Sequence, residues 1–296
     1  MRMAFILMAY KDPHQIERLV KKLYHEGFDF YIHIDRKIDI TPFLYLEKLP
    51  GVFFVKKRVE IGWASYYLTV GIFNSMNEII SSRKEYQLLS VMSAQDYPLR
   101  SAEELYRYFH QRRENNLVDI EADDSDWWND AMVRINKYDM INFKFKGKYR
   151  LQYVMNRILP LKRFPFPYKF YGGPNATWLT LTIPAAKFVI DFFEGDRQFR
   201  KFLFFTWGPD EFLVPTLLKN SPFNDSVLND NKYRYVDWSA GGAHPRILTN
   251  SDFDALVNSG SCMARKFDIK IDTEILNRID AYHTEYKVVH GYPAGS

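Results

Sequence analysis

The segment Met3-Ala-Phe-Ile-Leu-Met-Ala-Tyr10-Lys-Asp-Pro13 decides the fold of this chain. Residues 3–10 are a continuous apolar run, which is typical of a strand that is covered on both faces of a sheet. Pro13 suits the first turn of a helix. The apolar residues that follow recur at helical spacing: Ile16, Leu19, Val20 and Leu23. The segment therefore predicts a buried strand that leads directly into an amphipathic helix.

The same alternation continues over the first 120 residues. Further strands are predicted at 28–34, 52–55 and 86–92, and helices at 64–80 and from Ser101 to about residue 113, where Ser101 and Glu104 form a capping box. In the second half we predict strands at 116–120 and 178–182, and helices at 184–194, 211–219, 252–257 and 273–283. Strands that alternate with helices over the first 120 residues indicate an α/β fold with a mainly parallel sheet of the nucleotide-binding type.

Composition excludes several classes of protein. A net charge of +4 over 296 residues does not indicate a dedicated nucleic-acid binder. Aromatic residues make up 17% of the chain, and their rings suit the stacking of carbohydrate. Cys262 is the only cysteine, so no internal disulfide can form, and no apolar stretch reaches the roughly 20 residues needed to cross a bilayer. We therefore expect a cytoplasmic protein.

The run Thr-Trp-Gly-Pro-Asp-Glu-Phe-Leu-Val-Pro-Thr at 206–216 contains the most informative carboxylate. Gly208 and Pro209 form a turn, and Asp210 is placed to cap a helix that begins with Glu211. A carboxylate held at the edge of a cleft in this way can act as a general base. The alternative is a first-turn glutamate that is favoured only by the helix dipole.

Polar residues follow three predicted strands: Tyr10 after the first, Asp35 after the second, and Ser93, Ala94, Gln95 and Asp96 after 86–92. Ligands of such sheets bind beyond the carboxyl ends of the strands. Asp35 can accept hydrogen bonds from a uracil or ribose, and Asp96 can hold a sugar hydroxyl. The small Ala94 lets the backbone approach a ligand. Otherwise these residues are ordinary polar strand ends and turns.

An acidic cluster comprises Asp119, Glu121, Asp123, Asp124 and Asp126, of which 124–126 reads D-x-D. Such pairs hold Mg²⁺ or Mn²⁺ on a diphosphate in many sugar transferases, because hard cations prefer oxygen ligands. D-x-D is a weak pattern, and this one lies in a polar stretch. A solvated loop is the favoured interpretation, and we expect no metal site.

Three cations offer another way to neutralise a diphosphate. Arg265 and Lys266 stand together in an apolar context, and Arg246 follows His244-Pro245. Cationic side chains that bind phosphate oxygens can replace a metal in stabilising a departing diphosphate. The alternative is ordinary ion pairing, for instance with Asp268.

The segment from Lys144 to Lys169 is strongly basic and rich in aromatic residues. No acidic residue occurs between Met140 and Ile190. One interpretation is a solvated basic face. Another is contact with an anionic acceptor or with anionic lipid at the inner face of a membrane. RNA binding is the least favoured.

Together these segments resemble the core-2/I-branching N-acetylglucosaminyltransferase family, which includes peptide O-xylosyltransferases. The matching pieces occur in the family's order and span nearly the whole chain: 4–13, 31–37, 62–65, 88–98, 172–181, 209–211, 234–238, 244–245 and 264–268. The chain looks like a compact, bacterial-type member of that family.

The resemblance implies one GT-A-type catalytic domain, 1–296, built on a Rossmann-like mixed sheet flanked by helices. It has a nucleotide-sugar-binding half (1–120) and an acceptor-binding and catalytic half (121–296). It implies inverting transfer from a UDP-sugar to a glycan or lipid-linked acceptor, with no divalent metal or other cofactor. N-acetylglucosamine is the favoured sugar, with xylose or another hexose as alternatives. A glycoside hydrolase and a non-catalytic carbohydrate-binding protein are the alternatives from other classes.

The resemblance also assigns roles to individual residues. Glu211 matches the family's catalytic base, and we expect it to have an ordinary carboxyl pKa of about 4.3. The expected donor-binding residues are Tyr10, Asp35, Arg58, Ser93, Ala94, Gln95, Asp96, Arg246, Arg265 and Lys266. The expected acceptor-binding residues are Glu121, Trp178, Asp210 and Trp238. Of these, Lys266 matches a diphosphate-binding lysine and Trp238 an acceptor-stacking position.

Overall fold

The computed structural model describes residues 1–229, 233–241 and 244–289, with side chains up to residue 282. Its strands are β1 (Met3–Ala9), β2 (Phe28–Ile34), β3 (Val52–Phe54), β4 (Leu88–Ser93), β5 (Asp96–Pro98), β6 (Asn116–Val118), β7 (Thr180–Thr182), β8 (Val227–Asn229), β9 (Arg234–Val236) and β10 (Met263–Arg265). Its helices are α1 (Pro13–Leu23), α2 (Tyr66–Ile80), α3 (Ala102–Gln111), α4 (Asp126–Asn136), α5 (Lys148–Ile158), α6 (Ile183–Gly195), α7 (Arg197–Phe204), α8 (Leu213–Lys219), α9 (Phe253–Asn258) and α10 (Glu274–Val289). None of these helices is both long enough and apolar enough to cross a membrane.

Seven strands form one mixed sheet in the order β3-β2-β1-β4-β7-β6-β8. The four strands β3, β2, β1 and β4 run parallel, whereas β7 is antiparallel to both β4 and β6. A second, three-stranded sheet has the order β5-β10-β9. The predicted Rossmann-like mixed sheet flanked by helices is therefore confirmed.

The central strand β1 is buried along its whole length because helices cover both faces of the sheet. Phe5 and Leu7 belong to a core shared with α1, α3 and α10, whereas Ile6 belongs to a second core shared with α2, α6 and α8. Successive side chains of a strand point to opposite faces, so a strand between two helical layers has to be apolar throughout. This is why residues 3–9 show no polar alternation.

The strand register aligns the carboxyl ends of β1, β2 and β4. Ala9 pairs with Ile34, and Met8 pairs with Ser93. In the smaller sheet, Arg265 of β10 lies opposite Asp96 of β5. The polar residues after the parallel strands and the cations of β10 are therefore brought to one edge of the protein.

Some predicted elements were wrong or missed. The predicted polar loop extends only as far as Ser125, which is the N-cap residue of α4, so Asp126 already belongs to this helix. Asp210 does not cap a helix, because Pro209–Glu211 is a separate 3-10 turn and α8 begins at Leu213. The helix α5 was not predicted. It contains no buried residue, so its apolar side chains do not face a core as those of most surface helices do.

Candidate active site

A cleft of about 420 Å³ opens at the carboxyl ends of β1, β2 and β4. Most of the predicted site residues line it: Tyr10, Asp35, Ser93, Gln95, Trp178, Asp210, Glu211, Trp238, Arg265 and Lys266. Its volume lies in the range of about 300–1,000 Å³ that is usual for small-molecule sites. Residues from both ends of the chain thus meet around one space that can hold a nucleotide-sized ligand.

The cleft wall at the carboxyl ends of β1, β2 and β4 is held in place by hydrogen bonds between strand ends and loops. Asp35 is almost fully buried and accepts a hydrogen bond from Lys37 N at 2.9 Å. The Tyr10 hydroxyl donates to Gln95 Oε1 at 2.9 Å, and Gln95 Nε2 donates to the carbonyl of Phe267 at 3.0 Å. These bonds tie β1, the turn after β4 and the end of β10 together, so the wall is preorganised.

Two cations stand at the edge of β10. Arg265 is buried, its guanidinium lies 4.3 Å from the ring centre of Trp178, and burial lowers its pKa to about 10. Burial and the neighbouring charges of Arg265 and Lys11 lower the pKa of Lys266. Among the residues that the structure describes, no carboxylate lies within ion-pair distance of Lys266. Its ammonium is therefore available to an anionic ligand.

Glu211 is a largely buried carboxylate with one cationic partner. Arg134 Nη1 of α4 donates to Glu211 Oε2 at 2.8 Å, and the Arg134 guanidinium stacks 4.4 Å from the ring of Trp207. Burial, and secondarily the charge of Asp210, raise the pKa of Glu211 to about 7, although Arg134 acts in the opposite direction. The expected pKa of about 4.3 was therefore wrong, because the sequence does not reveal this burial.

Two cleft residues have buried polar atoms without partners. Within the described part of the chain, neither Asp210 Oδ1 nor Trp238 Nε1 has a hydrogen-bond partner. The other oxygen of Asp210 accepts a bond of 2.6 Å from the Thr177 hydroxyl. A buried polar group without a partner is costly. One such acceptor and one such donor among the residues that line the cleft match a hydroxylated ligand, since each hydroxyl group can both donate and accept.

The backbone of Glu211 is fixed by close contact with a glycine pair. Gly173 N donates to the Glu211 carbonyl at 3.0 Å, and Glu121 N donates to the Gly172 carbonyl at 2.8 Å. A Cβ on Gly172 would lie 2.3 Å from Glu211 O and 2.8 Å from Phe212 Cα. Only glycine allows this approach, because both obstructing atoms belong to the backbone.

We expect Gly172→Ala to destabilise the protein and to lower its activity, because the new methyl group displaces the Glu211 backbone. Overpacking of this kind costs about 1–3 kcal/mol. Thermal unfolding and activity measurements check it. Gly195→Ala is the matched control, since a Cβ there meets no atom within 4 Å. Equal melting temperatures for the two variants would contradict the conclusion that only glycine fits at position 172.

Three residues that were predicted to bind the donor substrate do not line the cleft, because their side chains are packed or bonded inside the protein. Asp96 is fully buried between Arg234, at 3.2 Å, and Arg265, at 3.5 Å, so it positions cations rather than binding a sugar hydroxyl. The Arg58 guanidinium donates to three backbone carbonyls, including that of Asp35 at 3.1 Å, and thereby shapes the loop after β2. The small Ala94 is buried in a minor neighbouring cavity.

Arg246 is also outside the cleft. Its guanidinium pairs with Asp237 at 2.5 Å and with Asp252 at 2.7 Å. These two carboxylates balance its charge and raise its pKa. Arg246 is thus paired with carboxylates and is not among the residues that line the cleft, whereas Arg265 lines it beside Lys266.

Glu121 lies in a second, smaller pocket of about 190 Å³. This pocket also contains Asp119, Asn175 and Arg234, and it shares Trp178 with the main cleft. Burial raises the pKa of Asp119 and of Glu121. Glu121 is thus separated from the main cleft by the indole of Trp178.

The remaining acidic cluster does not gather around one point. Asp123 pairs with Lys169 at 2.5 Å, and Asp124 and Asp126 are exposed. No group of three or more potential metal ligands is found among the described side chains.

Sequence reasoning missed Arg134 and the aromatic residues at the cleft mouth. Trp63 packs edge-on against Trp207 with ring centres 4.9 Å apart, and against His244 at 5.0 Å. Trp63 lies within the segment 62–65 that resembles the family, so the sequence offered a signal for it. Arg134 gave no signal, because only folding brings α4 to Glu211.

Glu211, Arg265 and Lys266 line one cleft at the carboxyl ends of parallel strands, which is where sheets of this type bind their ligands. The family model described as "Core-2/I-Branching enzyme" matches residues 3–256. The chain therefore belongs to the core-2/I-branching enzyme family.

The chain is similar to several xylosyltransferases. It is 25% identical to xylosyltransferase 2 of Rattus norvegicus over 323 residues, which covers 100% of this chain and 34% of that protein. It is 24% identical to xylosyltransferase 1 of Homo sapiens over 320 residues, which covers 100% of this chain and 31% of that protein. The chain thus spans about a third of the length of the curated relatives that it matches.

Solved structures show weaker similarity. The apo form of mouse xyloside xylosyltransferase 1 matches with a TM-score of 0.40 and 9% identity, covering 89% of this chain and 97% of that one. The apo structure of the bifunctional glycosyltransferase WbbM matches with a TM-score of 0.42 and 9% identity. The match covers 97% of this chain and 51% of the WbbM chain.

Proposed function

We propose that the protein catalyses inverting transfer of a sugar from a UDP-sugar to a hydroxyl group of a glycan or lipid-linked acceptor. The single observation that carries this proposal is that Asp35, Glu211 and Lys266 line one cleft. These side chains supply a nucleoside contact, a general base and a cation for a diphosphate. The family membership of the chain supports the same chemistry.

The proposed step begins when Glu211 Oε accepts the proton of the acceptor hydroxyl. The acceptor oxygen forms a bond to the anomeric carbon from the face opposite UDP, while the bond from that carbon to the diphosphate oxygen breaks. The electron pair leaves with UDP, and Lys266 and Arg265 stabilise its negative charge. The configuration at the anomeric carbon is inverted. Asp210 and Trp238 hold neighbouring hydroxyl groups of the acceptor.

We expect activity to rise with pH through about 7, because the base works only when Glu211 is ionised and its pKa is about 7. Arg134 lowers the pKa of Glu211. In Arg134→Met the pKa of Glu211 therefore rises, and the acidic limb of the profile of kcat/KM against pH moves to higher pH. Arg134→Lys keeps a positive charge and moves the limb less. An acidic limb that stays in place would contradict this prediction.

The proposal is tested by a screen of UDP-sugars with the purified chain. UDP-xylose is the first candidate because the similar proteins are xylosyltransferases, and UDP-N-acetylglucosamine is the second. We expect one donor to raise the melting temperature, since a ligand that binds the folded state stabilises it. We expect transfer to continue with EDTA, because Lys266 and Arg265 neutralise the leaving group. Dependence on added Mn²⁺ would overturn metal-independent transfer.

The same screen separates the proposal from two other functions. Release of a monosaccharide from a glycan without any UDP-sugar would indicate a glycoside hydrolase. Glycan binding without either reaction would indicate a carbohydrate-binding protein. In both cases UDP would leave the melting temperature unchanged.

A further inference from the structure

The helix α5 turns its polar side toward the protein, whereas an ordinary surface helix turns its apolar side there. Its polar side chains face the protein: Gln152 accepts a hydrogen bond from Met140 N at 2.9 Å, and Asn156 exchanges two bonds of 2.8 Å with the backbone of Tyr138. The ammonium of Lys148 donates to the carbonyls of Ile141 and Phe143. A helix on a globular protein normally turns its apolar stripe toward the core. Here hydrogen bonds hold the polar side there instead.

The apolar stripe of α5 faces away from the protein. Leu151, Val154 and Ile158 are 43%, 48% and 74% exposed, and their spacing places them on one side of the helix. The chain that follows continues this surface with Leu159 and Leu161, which are also exposed. Leucine, valine and isoleucine gathered in this way indicate a binding surface.

Exposed cations and tyrosines accompany the stripe on the same helix. Arg150 and Arg157 are exposed on α5, as are Tyr149 and Tyr153. No acidic residue occurs in the sequence from Met140 to Ile190. A helix with an apolar stripe, exposed cations and aromatic residues suits the boundary between lipid headgroups and acyl chains.

We infer that residues 149–161, here termed the α5 surface, dock in the plane of a bilayer that contains anionic phospholipid. The apolar stripe enters the headgroup boundary, while Arg150 and Arg157 pair with lipid phosphates. A second copy of the chain fits this surface less well. A symmetric contact would bring identical cations together, whereas the cores of protein interfaces are depleted in charged residues.

The α5 surface is joined directly to the catalytic half of the cleft. Lys162 follows it, and its buried ammonium donates to the Phe205 carbonyl at 2.7 Å and to Thr206 Oγ1 at 2.6 Å. Thr206 begins the run that contains Glu211. At the other end, Lys144 pairs with Glu60 at 2.5 Å, next to residues 61–63 of the cleft rim. Docking therefore holds the cleft close to the bilayer.

The experiment is co-sedimentation of the full chain with phosphatidylcholine vesicles, with and without phosphatidylglycerol. We expect binding only to the anionic vesicles, with an affinity that falls as salt is added. The double variants Leu151→Glu/Ile158→Glu and Arg150→Glu/Arg157→Glu should each weaken binding at least about tenfold, since each removes one of the two sources of affinity.

Matched controls test whether a loss of vesicle binding is specific to the α5 surface, because they make the same kinds of substitution at exposed positions elsewhere. Leu44→Glu/Ile271→Glu alters apolar residues of similar exposure elsewhere, and Lys48→Glu/Lys56→Glu makes the same change of charge. Both controls should bind anionic vesicles like the parent, and thermal unfolding verifies that every variant is folded.

Three results would overturn the inference: equal binding to neutral vesicles, binding that survives both α5 variants, or equal losses in the controls. A dimer in lipid-free solution that Leu151→Glu/Ile158→Glu abolishes would also overturn it, in favour of a second copy. None of these measurements depends on the proposed transfer reaction.

Discussion

Glu211→Gln is expected to lower turnover by about 10²- to 10⁴-fold, which is the usual contribution of a general base. Glutamine keeps the shape of the side chain but cannot take a proton from the acceptor hydroxyl. Lys266 and Asp35 are unchanged, so the affinity for UDP should stay close to that of the parent. Turnover with saturating donor and acceptor, together with UDP binding by calorimetry, measures the two effects separately.

Glu114→Gln is the control for this experiment, because Glu114 is exposed and lies outside the cleft. It should leave both turnover and UDP binding unchanged. Near-normal turnover in Glu211→Gln would remove the base assignment. A loss of UDP binding in the same variant would show that the side chain shapes the donor site instead.

Lys266→Gln is expected to lower turnover by about 10²- to 10³-fold, as is typical when one preorganised group that stabilises developing charge is removed. In contrast to Glu211→Gln, it should also weaken UDP binding. A charge-assisted hydrogen bond contributes about 1.5–3 kcal/mol, which corresponds to roughly a 10- to 100-fold change in the dissociation constant. Calorimetry and steady-state kinetics measure both quantities.

Lys270→Gln is the matched control, because Lys270 is exposed and already paired with Asp12 at 2.7 Å. The control removes the same charge a few residues away without touching the cleft. If Lys266→Gln bound UDP as tightly as Lys270→Gln does, the diphosphate contact would belong to another cation, and Arg265 would be the next to test.

The strand ends of the site were predictable from the sequence. Parallel strands in one sheet present their carboxyl ends at the same edge, so recognising β1, β2 and β4 was enough to group Tyr10, Asp35 and Gln95. The grouping of Glu211 and Lys266 came from the family resemblance rather than from periodicity. The cleft that they line together agrees with both sources.

The predictions that differ from the structure concern charged side chains that could pair either with a ligand or with another residue of the protein. Asp96 and Arg246 are polar residues in the expected region, and both are taken up by ion pairs inside the protein. The sequence lists the charges but not the distances between them. An ion pair forms only when folding brings two groups within a few ångströms, so their partners could not be read from local patterns.

The sequence by itself determined the buried strands, the helices with an apolar face and the edge at which the cleft lies. These features follow from periodicities of a few residues, which survive in the linear chain. Only the tertiary structure decided that Arg134 holds Glu211, that the pKa of Glu211 is raised to about 7, and that α5 turns its polar side inward. Burial and electrostatic partnership depend on residues that are distant in the chain, and no local pattern encodes them.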